Sequence, residues 1–249
     1  MKIIFNADDY GYSKGVNLGI MEACQNGVVL STTMMANMPG FEHGVWLYKN
    51  TETTLKIGVH LNLTTGKSLG GIYKTITDDR GHFLPQSELF LKAKENKIDL
   101  IEVEKEYRLQ IQKIYDSGII PTHMDGHHHN QNLPGIVDIF LKMAKEFSIK
   151  ALRIDNPSLL SGDYSGIKTT KFDSSFFGDN LSYQNLKSAL LSHKETTEIM
   201  CHPAYLDNFV YKSSSYNKDR AYELEILTSD EIINFIKQSN IVLSNFCDI

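Results

Sequence analysis

The feature that most constrains this chain is an alternation. Short apolar runs with strand character are each followed by apolar residues at helical spacing, about seven or eight times along the chain. The runs lie at 3–7, 32–37, 56–63, 121–124 and 151–154, near Lys171, and at 198–201 and 241–246. Helical patterns run from Ser13 to the terminator Gly27, onward from Pro39, and over 99–117, which Gly118 closes. They recur over 133–147, the best amphipathic stretch, and over 182–192 behind a Ser182 cap. Thr228 with Glu231 fits a capping box for the last one. Residues 64–87, 155–180 and 204–218 read as loops. Repeated βα units in about 250 residues predict an α/β fold: one distorted (β/α) barrel of about seven or eight strands, TIM-barrel-like, spanning 1–249 as a single domain. The runner-up is an open doubly wound sheet. The first βα turn has neither GxGxxG nor GxxxxGK[ST], so a nucleotide cofactor is not expected.

Charge and composition narrow the partners. The net charge is −5 and Lys and Arg form no run, which argues against nucleic acid. Cys24, Cys201 and Cys247 are odd in number and contain no CxxC pair, so neither a disulfide framework nor a cysteine zinc site is expected. Met1-Lys2 leads straight into a strand without the apolar stretch of a signal peptide, and no run of about 18 apolar residues exists. The expectation is a soluble, cytoplasmic protein without membrane contact. A homodimer is compatible with it.

The titratable residues fall where a parallel barrel gathers its chemistry, at the C-terminal ends of strands. The first strand ends in Asp8-Asp9 before Gly11, the third carries His60, and the fourth ends in Asp125 and the run His127-His128-His129. The fifth carries Arg153 and Asp155, and the seventh ends in His202. One Asp with two His, leaving room for water, is a familiar catalytic metal arrangement. Asp9, His60 and His127 form the chosen trio, although spacing alone does not separate His127 from its two neighbours. Asp8 would then serve as general base and His202 as the acid for the leaving group. Arg153 would orient Asp8 or bind an oxyanion. Plainer readings stand beside these: His60 as a core histidine, Asp8-Asp9 as turn residues, His202 as a strand end. Tyr10, Tyr12, Trp46, Tyr73, Phe83 and Tyr205 are candidates to stack on a sugar, or ordinary packing.

The segment Asn6-Ala7-Asp8-Asp9-Tyr10-Gly11-Tyr12-Ser13-Lys14-Gly15-Val16-Asn17 resembles the N-terminal signature of the YdjC-like carbohydrate deacetylases, which include chitooligosaccharide deacetylases. The resemblance continues through Ser31-Thr32-Thr33, Gly58-Val59-His60-Leu61-Asn62-Leu63-Thr64 and Thr122-His123-Met124-Asp125-Gly126-His127-His128-His129. It resumes at Leu152-Arg153-Ile154-Asp155, Ser174-Ser175-Phe176-Phe177-Gly178, Met200-Cys201-His202-Pro203 and Glu223-Leu224-Glu225-Ile226-Leu227-Thr228. It implies hydrolysis of the N-acetyl group of an amino sugar or chitooligosaccharide, phosphorylated or not, to acetate and a glucosamine unit. It also implies a divalent metal, usually magnesium, on Asp9, His60 and His127, with Asp8 as base. Imidazole ligands suit zinc better than magnesium, so zinc is the chemical alternative. Two departures stand out: Gln131 replaces the last histidine of the family's extended cluster, and Gly126 stands where many relatives have Ser. The rival readings are a two-carboxylate glycosidase and a non-catalytic sugar-binding protein.

Overall fold

The central strand is β1 (Lys2–Tyr10), and it is buried along nearly its whole length. Ile3, Ile4, Phe5 and Ala7 are fully covered, as an apolar run paired on both edges requires. The other strands are β2 (Ser31–Met34), β3 (Lys56–Leu61), β4 (Met124–Gly126), β5 (Lys171–Asp173), β6 (Thr197–Cys201) and β7 (Val242–Leu243). The helices are α1 (Lys14–Gln25), α2 (Phe41–Asn50), α3 (Gln86–Lys94), α4 (Leu100–Asp116), α5 (Ile136–Glu146), α6 (Tyr183–Ser192), α7 (Asn208–Ser213), α8 (Lys218–Thr228) and α9 (Asp230–Gln238). The computed structural model describes residues 1–154 and 165–249; Asp155, placed by the sequence at a strand end, lies outside them.

The sheet order is β4-β3-β2-β1-β6-β5, with β7 also on β1. The pairs of β1 with β2, β6 and β7, of β3 with β4, and of β5 with β6 are all parallel. Read cyclically, this order is 1-2-3-4-5-6, the sequence of a (β/α) barrel. A doubly wound sheet would place a strand of the second half, in rising order, beside β1. The α/β barrel expectation therefore holds.

The described chain divides into two units. The first comprises Met1–Met34, Pro39–Ile57 and Thr170–Ile249; the second comprises Met35–Met38 and Gly58–Thr169. In the first, Ser13 caps α1 by accepting from Val16 N–H, and Ser182 caps α6 by accepting from Asn185 N–H. The cap of α9 is Ser229, which accepts from Ile232 N–H, one residue beyond the expected Thr228. In the second, α5 buries Ile136, Val137, Ile139, Phe140, Leu141, Met143 and Ala144, the stripe seen in the sequence. Three helices were not expected: α3, α7 and α8. The strand expected at 151–154 reduces to isolated parallel bridges, Met124 to Leu152 and Ala151 to Lys168. No helix among the described residues is long and apolar enough to cross a membrane.

One helix–loop contact sets the position of the segment after His202. A Cβ on Gly15 would lie 2.2 Å from the Tyr205 carbonyl oxygen, and one on Gly19 would lie 2.4 Å from the Ala204 Cα. Tyr205 N–H also donates to the Gly15 carbonyl at 3.1 Å. Two glycines one turn apart thus let backbone meet backbone. Gly19→Ala should lower stability by about 1–3 kcal/mol through overpacking. Thermal denaturation should show the lower midpoint, and an unchanged midpoint would remove this contact from the account.

Candidate active site

In the first unit, β1 delivers two carboxylates that a regular strand would point to opposite faces. The register with β2 shifts between Ala7 and Tyr10: Ala7 faces Thr32, and Tyr10 faces Met34. Three steps along β1 against two along β2 mark a bulge, which re-aims side chains. Asp9 sits inside it with φ 73°, in the left-handed region that Asp tolerates better than most residues. Asp9 and Asp8 are both buried. Arg220, on α8, donates from Nη2 to Asp9 Oδ2 at 2.7 Å and from Nε to the Tyr216 carbonyl at 2.8 Å. Asp8 takes a different partner: Asn6 Nδ2 donates to its Oδ1 at 2.9 Å. Asn6 and Asp8 are two residues apart, so they share a face.

The parallel pairing of β1 with β6 sets Ala7 opposite Cys201, and so brings the next residues, Asp8 and His202, together. His202 Nε2 lies 4.0 Å from Asp8 Oδ2, and its Nδ1 lies 3.8 Å from Glu223 Oε1. Glu223 is fully buried on α8, one turn beyond Arg220. It accepts the backbone N–H of His202 and the Tyr216 hydroxyl. The rings of Phe177 and Tyr216 both meet His202 edge to face, with centroids 5.5 and 5.6 Å away. Burial, and after it the Glu223 charge, hold the Tyr216 hydroxyl far above its ordinary pKa, so it stays a donor.

In the second unit, β3 and β4 place His60 opposite Asp125. His60 Nδ1 is 2.6 Å from Asp125 Oδ1, and Arg153 Nη1 is 3.1 Å from Asp125 Oδ2. All three side chains are buried. A carboxylate on Nδ1 fixes that nitrogen as the protonated one and leaves the Nε2 lone pair for a ligand. His60 Nε2 then lies 3.2 Å from His127 Nδ1. Of the three consecutive histidines, His127 is the buried one that meets His60; His128 is exposed and pairs with Thr64 Oγ1 at 2.8 Å. His128 and His129 both have φ 54°, which turns the chain sharply after His127. The two departures from the family pattern touch here: a Cβ on Gly126 would lie 2.4 Å from Gln131 Oε1. Gly126 leaves the room that the Gln131 amide fills.

Asp9 in the first unit, and His60 and His127 in the second, are each buried and of residue types that bind divalent metals. Within the second unit, Asp125 is already engaged by the Arg153 guanidinium and His60 Nδ1. Two imidazole nitrogens each about 2.1 Å from one ion would be separated by about 3.0–3.4 Å, and the observed His60–His127 spacing falls within that. Reasoning from sequence alone missed Arg220, Glu223, Tyr216 and Phe177. Among the aromatic candidates, Tyr10, Tyr12, Tyr73 and Phe83 are buried, and only Trp46 and Tyr205 are well exposed.

Known proteins share this architecture. The profile of the family described as YdjC-like protein matches residues 2–238. A carbohydrate deacetylase of Clostridium beijerinckii is 40% identical over the full length of both chains, and one of Brevibacillus brevis is also 40% identical over both full lengths. A solved structure from Enterococcus faecalis, proposed to be a cellobiose-phosphate cleavage protein, superposes with a TM-score of 0.90 at 31% identity, covering 99% of this chain and 98% of that one. A peptidoglycan N-acetylglucosamine deacetylase shares the fold alone, with a TM-score of 0.52 at 13% identity over 98% of this chain and 85% of that one. A family profile that spans nearly the whole chain, on the strand order and strand-end residues described above, makes this chain a member of the YdjC-like family.

Proposed function

We propose that this protein is a metal-dependent carbohydrate deacetylase that hydrolyses the N-acetyl group of an amino sugar or chitooligosaccharide. The observation that carries the reading is the His60–His127 pair, two imidazole nitrogens 3.2 Å apart with the far nitrogen of His60 held by Asp125. The names of the two relatives at 40% identity support the substrate class. The ligands are Asp9, His60 and His127. A divalent ion held there supplies a polarised acetyl carbonyl and a bound water of lowered pKa. Two imidazoles and one carboxylate favour zinc or a similar borderline ion over magnesium.

The chain's own residues then divide the proton traffic. Asp8 accepts a proton from the attacking water as its oxygen bonds to the acetyl carbon. His202 donates a proton from Nε2 to the sugar nitrogen as the carbon–nitrogen bond breaks, giving acetate and a free amine. The 4.0 Å between Asp8 Oδ2 and His202 Nε2 supports a base and an acid that serve one scissile bond. Arg220 holds Asp9 to its task, and Asn6 keeps Asp8 apart from it. Arg153 acts through Asp125 on the orientation of His60.

Three outcomes are expected. Chelation should abolish acetate release from N-acetylated sugars, and added zinc, manganese or cobalt should restore it. Cleavage of the glycosidic bond without acetate would instead favour a glycosidase. Asp8→Asn should keep its bound metal, measured by elemental analysis, yet lose about 10²–10⁴-fold in kcat. His60→Ala should lose the metal itself. Full acetate release by Asp8→Asn would remove Asp8 as the base.

A further inference from the structure

His202 directly follows β6, and a proton donor there must be held still. One turn of α8 supplies the answer. Glu223 is fully buried in the same unit as His202, and no step of the reaction needs its charge. A carboxylate placed there is costly unless its oxygens are occupied. They are occupied by the site itself. Oε2 accepts the His202 backbone N–H, and Oε1 accepts the Tyr216 hydroxyl at 2.5 Å while standing 3.8 Å from His202 Nδ1. Tyr216 in turn stacks on Phe177, with centroids 4.2 Å apart and planes 14° from parallel. Both rings meet the imidazole edge to face. His202 is therefore held at its backbone N–H by Glu223, whose charge stands 3.8 Å from Nδ1, and is met edge to face by a stacked aromatic pair.

We propose that Glu223 is the positioning residue for His202, and that Tyr216 locks Glu223 in the rotamer that does this. The placement of the proton donor, and not its chemistry, is what the pair contributes. The proposal rests on the deacetylase reading for its kinetic consequence but not for its structural one. The spacing on α8 makes the assignment economical. Arg220 and Glu223 lie three residues apart and so share a helix face, the first engaging Asp9 and the second engaging His202. A one-residue slip of α8 would release both.

The test uses full-length protein and the variants Glu223→Gln, Glu223→Ala and Tyr216→Phe. Glu223→Gln keeps the shape and one acceptor oxygen, and Tyr216→Phe keeps the stacked ring. In acetate release, Glu223→Gln should lose about 10–100-fold in kcat with KM within twofold, at unchanged metal content. Tyr216→Phe should lose less, about 3–10-fold, again in kcat, because its ring still packs on His202. A loss confined to KM, or parental kcat in Glu223→Gln, would overturn the proposal. A readout independent of turnover comes from histidine-labelled protein. The His202 ring resonances, assigned through their absence in His202→Gln, should be displaced by the two aromatic neighbours in the parent and collapse toward the free-histidine position in Glu223→Ala. Unmoved resonances would overturn the positioning role even in an enzyme with full activity. Displaced resonances that collapse in the variant, in a parent that releases no acetate from any sugar, would leave Glu223 as the holder of His202 and sink the deacetylase reading instead.

Discussion

The structure depends on the bulge that ends β1. A buried central strand can carry two adjacent carboxylates only if each finds a partner, because an uncompensated buried charge costs several kcal/mol. In a regular strand Asp8 and Asp9 would face away from each other across the sheet. The extra residue between Ala7 and Tyr10, with Asp9 at φ 73°, breaks that rule locally. Asp9 then meets Arg220 and Asp8 meets Asn6, so two neighbours of the same chemistry occupy different environments. Under the proposed function, these divergent environments would let one carboxylate ligate and the other accept a proton.

The supporting residues follow from the parallel register. Ala7 opposite Cys201 brings His202 level with Asp8, and His60 opposite Asp125 gives the imidazole its carboxylate. Neither placement needs a special loop. Each follows from strands of similar phase whose C-terminal ends lie at the same edge, which is the general reason α/β sheets carry their sites there. The glycines Gly15 and Gly19 extend the same logic to the segment after His202, where close backbone approach replaces side-chain packing.

Much of this was legible in the residues. The apolar run of β1, the stripe of α5, the helix start at Ser13 and the Ser182 cap are strong local signals, and they are where the sequence places them. The sequence also finds the strand ends that bear Asp8, Asp9, His60, Asp125 and His202. It loses α8, for a physical reason: the inward face of that helix includes Arg220 and Glu223, so the buried positions do not read as apolar. Those two buried charges hide its period. Helices α3 and α7 are too short to show one, with only Leu89 and Ala93, and Val210, buried on them. The bulge is invisible because it depends on register with β2. The choice of His127 over His128 and His129 depends on left-handed backbone angles that no residue type dictates. The link between Gly126 and Gln131 likewise shows only once the Oε1 position is known.

The central claim is that Asp9, and not Asp8, joins His60 and His127 in holding the ion. Anomalous diffraction from crystals grown with zinc or manganese tests it most directly. The account predicts one anomalous peak bonded to an Asp9 oxygen, His60 Nε2 and His127 Nδ1, with Asp8 reaching the ion only through water. A peak ligated by Asp8 and Asp125, or density on the histidines with Asp9 left on Arg220 alone, would contradict it.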